Sequence, residues 1–256
     1  MKPRMAVFKF ASCDGCQLQF LNAEDDLLTL ARLVDIVNFP EASSRMLEGP
    51  YDIAFVEGSI TTPEDARRIL EVREQSKYLV TIGACATSGG IQALRNWANI
   101  DDFVRATYPS PEFINTLSTS TPIAEHVRVD FELWGCPIDK QQLLNVVRSL
   151  LLGADPVLPG HSVCMECKRR GNTCVVVARG EPCMGPVTRT GCGAICPTFH
   201  RGCYGCFGPA DDSNTSAFVQ LLASHGVKDD AALRKLRGIH GYIKPWRDAG
   251  DKLGSA

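Results

Sequence analysis

The sequence predicts an α/β domain built on a parallel sheet, followed by a small, irregular domain rich in cysteine. Up to about residue 152, apolar segments of strand length alternate with amphipathic segments of helical length, which is typical of a parallel sheet covered by helices. Eight of the twelve cysteines lie within residues 164–206. Residues 160–210 are dominated by Gly, Pro and Cys and carry too little apolar area to fold unaided. We therefore expect domains of residues 1–157 and 158–256.

Composition excludes several classes of function. The 256 residues carry a net charge of −2, whereas a binder of nucleic acid or of an anionic membrane would have a basic excess. Aromatic residues make up only 7%, too few for a base-stacking surface. No apolar run approaches the roughly 20 residues of a membrane span. Without a secretory signal, a cytoplasmic location is expected, and twelve cysteines there indicate metal or redox chemistry.

The elements of the first domain follow from short apolar runs and helical periodicity. Thr62 followed by Pro63 predicts the start of a helix that runs to about residue 76, because Thr caps helix N-termini and Pro fits the first helical position. Residues 97–125 are rich in Pro, Ser and Thr and are expected to be irregular, with one short helix. The other predicted helices are residues 17–33 and 138–152, and the predicted strands are residues 6–10, 34–39, 52–56, 78–82 and 127–134.

The second domain shows little periodicity. Within residues 160–210, only residues 175–178 are expected to form regular structure. After Cys206 the chain becomes polar, and a helical tail is expected. Since the apolar content of the cysteine-rich part is low, we expect bound metal to hold it together.

Four cysteines of the first domain follow the carboxyl ends of predicted strands. Cys13 and Cys16 follow the first strand, Cys85 follows the fourth and Cys136 the fifth. Because ligands of open parallel sheets bind outside the carboxyl ends of the strands, these thiols are expected to form one four-cysteine site. Glu57 follows the third strand and is expected at the same edge.

Three glycines accompany these cysteines. Gly15, Gly83 and Gly135 would let the backbone approach an inorganic core and donate amide hydrogen bonds to sulfur. The alternative is that Cys85 and Cys136 are small buried core residues, as free cysteines often are. That alternative is reasonable for either residue alone and poor for all four cysteines at one edge.

The eight remaining cysteines have the spacing C-x₂-C-x₆-C-x₈-C-x₈-C-x₃-C-x₆-C-x₂-C. Eight ligands divide naturally into two four-ligand sites, and both zinc and iron–sulfur clusters accept four cysteines. Cys192, Cys196 and Pro197 match the C-x₃-C-P end of a bacterial ferredoxin motif, which favours iron–sulfur over zinc. Disulfides are a third alternative.

Taken together, these motifs resemble the small, electron-transferring subunit of nickel–iron hydrogenases. The resemblance is greatest to the cytosolic, NADP-linked group, also called sulfhydrogenases, which share the all-cysteine second half. The matching segments are SCDGCQ (12–17), VEGSI (56–60), GACA (83–86), GCP (135–137), VCMEC (163–167), PCMGPVTRTGC (182–192) and CYGC (203–206).

The resemblance implies a flavodoxin-like first domain that binds a proximal 4Fe–4S cluster. Its ligands would be Cys13, Cys16, Cys85 and Cys136, and the cluster would face the large subunit that carries the nickel–iron centre. Glu57 matches an acid beside that cluster, which would hold the subunit interface or relay protons. The alternative for Glu57 is a cap before the helix that begins after Thr62.

The resemblance also implies two further clusters in the second domain. Cys164 stands where membrane-bound relatives have a histidine, and Cys196 supplies an extra thiolate, so two 4Fe–4S clusters are expected. An interleaved pairing, as in ferredoxins, is the alternative. In the order of the relatives, the distal ligands would be Cys164, Cys167, Cys174 and Cys183, and the medial ligands Cys192, Cys196, Cys203 and Cys206.

The implied function is electron relay between the large subunit and a flavin- and iron–sulfur-containing, diaphorase-type partner that reduces NADP. The chain has no GxGxxG after a strand and no P-loop, so it should bind no dinucleotide itself, and no catalytic centre is expected in it. Two alternatives remain: the small subunit of a hydrogenase linked to heterodisulfide reductase, and a zinc-binding scaffold. A related one-cluster subunit of the membrane respiratory complex is disfavoured by the second domain.

Overall fold

A computed structural model describes residues 2–254. The chain divides into two compact units: the first ends at Pro156 and the second begins at Val157. Among the described residues, no helix has the length and apolar character needed to span a membrane.

The first unit is built on a five-stranded parallel sheet, which confirms the predicted α/β class. The strand order is β2-β1-β3-β4-β5, the order of flavodoxin-like folds. In the centre of the sheet, Val7 of β1 lies opposite Phe55 of β3. The strands are β1 (Arg4–Lys9), β2 (Asp35–Asn38), β3 (Tyr51–Glu57), β4 (Ser76–Ile82) and β5 (Phe131–Leu133).

Six α-helices accompany this sheet. Thr62 caps α3 as predicted, because its side chain accepts a hydrogen bond from the Asp65 N–H at 3.0 Å. Ile69 and Val72 of this helix are buried. The helices are α1 (Gly15–Leu21), α2 (Asp25–Leu33), α3 (Pro63–Glu74), α4 (Gly83–Ser88), α5 (Ile100–Thr107) and α6 (Lys140–Leu151).

The single helix predicted over residues 17–33 is wrong, because α1 and α2 are separated at residues 22–24. Glu24 has φ +49°, outside the helical range. Phe20 near the end of α1 is almost fully buried, with ring centroids 5.1 Å from Phe55, whereas Leu28 and Leu33 of α2 are exposed. Because the chain breaks between the two helices, α1 packs Phe20 into the core while α2 leaves Leu28 and Leu33 at the surface. The continuous apolar pattern of the sequence does not show this difference.

Strand β5 is shorter than the predicted residues 127–134. The Asp130 carboxylate accepts the Leu79 N–H of β4 at 2.8 Å, and the Asp130 N–H donates to the Leu79 carbonyl. The Asp130 side chain thus accepts the Leu79 N–H, which would pair with a backbone carbonyl if β5 were longer. Regular pairing with β4 begins only at Phe131.

The second unit contains more regular structure than the sequence predicts. Three short helices occupy its cysteine-rich part, not residues 175–178 alone, and three longer helices form the expected tail. Tail residues Phe218, Leu222 and Trp246 pack with Val175 and Val187 in one core. The apolar area missing from the cysteine-rich part is therefore supplied by the tail. The helices are α7 (Val163–Arg169), α8 (Val175–Arg179), α9 (Ile195–Thr198), α10 (Thr215–Ser224), α11 (Asp229–Leu236) and α12 (Lys244–Gly254).

The contribution of the Thr62 cap to stability can be tested by substitution. Thr62→Ala should lower the free energy of unfolding by about 1 kcal/mol, because the Asp65 N–H loses its acceptor. Thr62→Ser keeps the hydroxyl and should stay close to the parent. Urea unfolding of the full chain measures both, and equal stability of the Ala and Ser variants would contradict the capping role.

Candidate metal-binding cysteine sites

Cys13 and Cys16 lie in the turn that carries the chain from β1 into α1. After β1 the chain stays beside β3, because Ala11 and Ser59 form an antiparallel bridge with N–H···O distances of 3.0 and 3.2 Å. Asp14 then takes a left-handed conformation with φ +65°, and Gly15 begins α1. This reversal places one cysteine before the helix and one in its first turn.

Cys85 lies in α4, which begins directly after β4 and was not predicted. The Ala84 N–H donates to the Gly135 carbonyl at 2.8 Å, so the start of α4 is tied to the turn that contains Cys136. The structure thus brings the segments of all four cysteines to the carboxyl edge of one sheet, the edge at which such folds bind ligands.

The four thiols are close enough to affect one another's ionisation. Burial raises the pKa of Cys85 to about 11, and the thiolates of Cys136 and Cys13 add to the rise. The pKa of Cys16 is also raised, first by burial and then by Glu57, Cys85 and Cys136, while a hydrogen bond from the Ile138 N–H opposes the rise. Cys13 and Cys136 are exposed and Cys16 is buried, so one side of the group opens to the surface.

Gly83 leaves the space that Cys16 occupies. Its φ is +81°, and a Cβ at this position would lie 2.2 Å from the Cys16 Sγ. A side chain at residue 83 would therefore displace the thiol. At Gly15, by contrast, a Cβ would lie 3.4 Å from the Cys13 Sγ, an ordinary contact.

Glu57 is buried at the end of β3, with 1% of its surface exposed. Its carboxylate accepts the Cys16 N–H at 3.0 Å, the Gln17 N–H at 3.3 Å and the Gln17 side-chain amide at 3.0 Å. The alternative that Glu57 caps the helix after Thr62 is wrong, since it caps α1 instead. Burial raises the pKa of Glu57, and the three hydrogen bonds oppose that rise.

Sequence reasoning missed two glutamines at this site. Gln17 follows Cys16 directly and bonds to Glu57, and the Gln92 side-chain nitrogen lies 3.3 Å from the Cys85 Sγ. The available signals were a polar residue at the start of the helix predicted over residues 17–33 and a polar residue shortly after the Gly89-Gly90 pair.

In the second unit, four cysteines line one cavity of about 70 Å³. Burial raises the pKa of Cys164 to about 11, and the thiolates of Cys183, Cys167 and Cys174 add to the rise. The rest of the lining is apolar and includes Val175 and Leu221. These four are the cysteines that the resemblance to hydrogenase small subunits assigns to a distal cluster.

The other four cysteines of the second unit interact electrostatically in pairs. Cys196 adds to the rise in the pKa of Cys192, and Cys183 and then Cys206 add to that of Cys203, although burial is the larger cause in both. Cys203 also donates its N–H to the Cys183 Sγ at 3.2 Å, so the two sets of four adjoin. The joining of Cys192, Cys196, Cys203 and Cys206 in one medial site stays a prediction.

A buried histidine supports the last of these cysteines. His240 has no exposed surface, and its Nε2 lies 3.0 Å from the Cys206 carbonyl oxygen. Burial lowers the pKa of His240 to about 4, so the ring is neutral at pH 7 and donates this hydrogen bond. The tail of the second unit therefore anchors the backbone of a predicted ligand.

The donor sets fit a polynuclear iron–sulfur group. Within residues 2–254, no three His, Cys, Asp or Glu side chains are grouped tightly enough for a single metal ion. In each unit, neighbouring cysteines raise one another's thiol pKa, and a cationic iron–sulfur group bound among them would stabilise the thiolate form. Gly83 provides room beside the Cys16 thiol.

Comparison with known proteins agrees with this chemistry. Residues 13–150 match the family described as NADH ubiquinone oxidoreductase, 20 Kd subunit, which covers the cysteine site of the first unit. The chain is 35% identical over 234 residues to Sulfhydrogenase 2 subunit delta of Pyrococcus furiosus, which covers 91% of this chain and 98% of the relative. The chain belongs to the hydrogenase small-subunit family.

Two further relatives show how broad this family is. A vhu subunit of an F420-non-reducing hydrogenase from Methanocaldococcus jannaschii is 30% identical, covering 82% of this chain and 83% of the relative. A chain in the crystal structure of an NAD⁺-reducing [NiFe]-hydrogenase in the H₂-reduced state superposes with a TM-score of 0.58 and 30% identity. That match covers 62% of this chain and 96% of the other. This hydrogenase small subunit is therefore an oxidoreductase component.

Two glycine substitutions test whether the Cys16 thiol needs the space at Gly83. Gly83→Ala combines a strained φ with a Cβ 2.2 Å from the Cys16 Sγ, whereas Gly153→Ala at φ +70° meets nothing within 4 Å. Gly153→Ala should cost about 1–2 kcal/mol of unfolding free energy. Gly83→Ala should cost about 1–3 kcal/mol more, from overpacking.

Urea unfolding of the full chain under anaerobic conditions measures this difference. Equal losses in the two variants would show that the Cys16 thiol does not depend on the space at Gly83.

Proposed function

We propose that this chain relays electrons between the nickel–iron centre of a large hydrogenase subunit and a flavin- and iron–sulfur-containing partner that reduces NADP. Three 4Fe–4S clusters would carry the electrons. The observation that supports this most is the grouping of the thiols: four gather at the carboxyl edge of the sheet, and four line one cavity of the second unit.

The proximal cluster would be held by Cys13, Cys16, Cys85 and Cys136. When bound, it would supply one-electron transfer without proton chemistry of its own. The chain's residues prepare the place: Gly83 leaves room beside Cys16, and the Ile138 N–H donates to that thiol. Exposure of Cys13 and Cys136 gives this site an open side on which the large subunit would dock.

Glu57 would stabilise this site rather than form part of a catalytic centre in the chain. Its carboxylate holds the first turn of α1, and so fixes the backbone of Cys16. Because burial raises the pKa of Glu57, its carboxyl takes up a proton at a higher pH than an exposed glutamate does. A role in proton relay or at the large-subunit interface belongs to this proposal.

The distal cluster would be held by Cys164, Cys167, Cys174 and Cys183, which share one cavity. The medial cluster would be held by the remaining four, of which Cys203 adjoins Cys183. Ligation by cysteine alone keeps a cluster at a lower potential than ligation that includes histidine, as low-potential nicotinamide chemistry requires.

The proposal also names the partner that receives the electrons. The likeness to a sulfhydrogenase and to an NAD⁺-reducing hydrogenase supports a nicotinamide-linked, diaphorase-type partner. The likeness to a component of an F420-non-reducing hydrogenase favours a second candidate, a cytosolic hydrogenase that delivers to a heterodisulfide-reductase-type partner. The polypeptides that co-purify with the chain, and NADP reduction by the purified complex, distinguish the two.

Metal analysis tests the number and kind of clusters. Three 4Fe–4S clusters predict about 12 iron atoms and matching acid-labile sulfide per chain in the anaerobically purified complex. Stoichiometric zinc without sulfide would instead support a zinc-binding scaffold and remove the electron-relay proposal.

Substitution of one ligand tests the proximal assignment. Cys85→Ser should abolish hydrogen-dependent dye reduction, because electrons could no longer leave the nickel–iron centre. Nickel in the large subunit should be retained, which serves as the control for an intact complex. Normal turnover by this variant would overturn the assignment of Cys85.

A further inference from the structure

The Gln92 side chain connects two of the cysteine-bearing segments. Its amide nitrogen donates to the Ala11 carbonyl at 2.7 Å and to the Cys85 Sγ at 3.3 Å. Ala11 lies two residues before Cys13. One NH₂ group thus reaches both the segment that carries Cys13 and a thiol, whose Sγ also lies 3.5 Å from the Gln92 Oε1.

Two glycines make this contact sterically possible. Gly89 and Gly90 have φ values of +82° and +64° and turn the chain back after α4. A Cβ at Gly90 would lie 2.6 Å from the Gln92 Oε1 and 2.8 Å from the Cys85 Sγ. Without a side chain at residue 90, the amide and the thiol can meet.

The segment that carries Gln92 is fixed from its other end. Residues Ile91–Trp97 form a 3-10 helix. Within it, Asn96 exchanges two hydrogen bonds with the Ser120 backbone: its amide donates to the Ser120 carbonyl at 2.9 Å, and its Oδ1 accepts the Ser120 N–H at 2.8 Å. Arg95 donates to the Leu117 carbonyl at 3.1 Å. Gln92 is therefore presented to Cys85 from a rigid support.

The contact favours negative charge on sulfur. The Gln92 side-chain nitrogen lies 3.3 Å from the Cys85 Sγ, and an N–H donor at that distance stabilises negative charge on sulfur. A donor that stabilises negative sulfur also stabilises the reduced form of a cluster ligated by that sulfur, because the added electron increases the charge on the cluster and its ligands.

We propose that Gln92 is a positioning residue that orients Cys85 and raises the reduction potential of the proximal cluster through its N–H···S hydrogen bond. This inference rests on the proposed function, since it requires the cluster. No bond would be made or broken: the cluster would gain one electron from the nickel–iron centre, and the amide proton would stay on nitrogen, where its hydrogen bond to sulfur would strengthen.

The test uses the complex of this chain with its large subunit. Gln92→Met keeps the length of the side chain and removes the donor, and Gln92→Glu keeps the shape and places a carboxylate beside the sulfur. Gln141→Met, on the exposed surface of α6, is the matched control. Redox titration followed by electron paramagnetic resonance gives the midpoint potential of the proximal signal, identified as the one that Cys85→Ser removes.

We expect the proximal midpoint to shift to a more negative potential in Gln92→Met and further in Gln92→Glu, with no shift in Gln141→Met. One exchangeable proton coupled to this cluster should also be lost from the electron–nuclear double resonance spectrum of Gln92→Met. If Gln92→Met fails to assemble, the isosteric Gln92→Glu variant carries the test alone.

An unchanged proximal midpoint in the assembled Gln92 variants would overturn this inference and leave the proposed function standing. A wild-type complex without any iron–sulfur signal would instead overturn the proposed function. The two failures are therefore distinguishable in one set of samples.

Discussion

The first unit depends on holding several cysteines together where burial and the charge of their neighbours both disfavour the thiolate form. Burial alone opposes ionisation of Cys16 and Cys85, and each neighbouring thiolate adds to that opposition. A chain that gathers such groups must fix their positions by other means and leave room for a cationic metal group to compensate the charge. In the first unit this is achieved at the carboxyl edge of a parallel sheet, where turns from distant parts of the sequence meet.

Backbone and amide hydrogen bonds perform the fixing in the first unit. Glu57 accepts three hydrogen bonds from Cys16 and Gln17, which anchors the first turn of α1. The Ala84 N–H ties α4 to the turn around Gly135, and Gln92 ties Cys85 to the segment before Cys13. Separate segments are thus connected to one another as well as to the sheet.

In the second unit, the helical tail holds the cysteine-bearing segments in place. Its cysteines lie on short helices and turns that could not bury enough apolar surface by themselves. The tail helices supply that surface through residues such as Phe218 and Trp246, and His240 bonds to the Cys206 backbone. Membership of the hydrogenase small-subunit family agrees with both arrangements, because the Pyrococcus furiosus relative covers nearly the whole chain.

The sequence by itself determined the fold class, the capped start of α3 at Thr62 and the family. Each depends on local pattern: apolar runs, a cap followed by proline, and motifs such as SCDGCQ. The same kind of pattern placed four cysteines after strands, because a strand's direction fixes which end its following turn occupies.

Only the tertiary structure decided the break between α1 and α2, the shortening of β5 and the contacts of Glu57 and Gln92. The partners in these contacts are far apart in sequence: Glu57 lies 41 residues from Cys16, and Gln92 lies 81 from Ala11. A side chain's hydrogen-bond partner follows from which segments pack beside it. Periodicity and spacing describe residues that are close in sequence, and not residues that the fold brings together from distant segments.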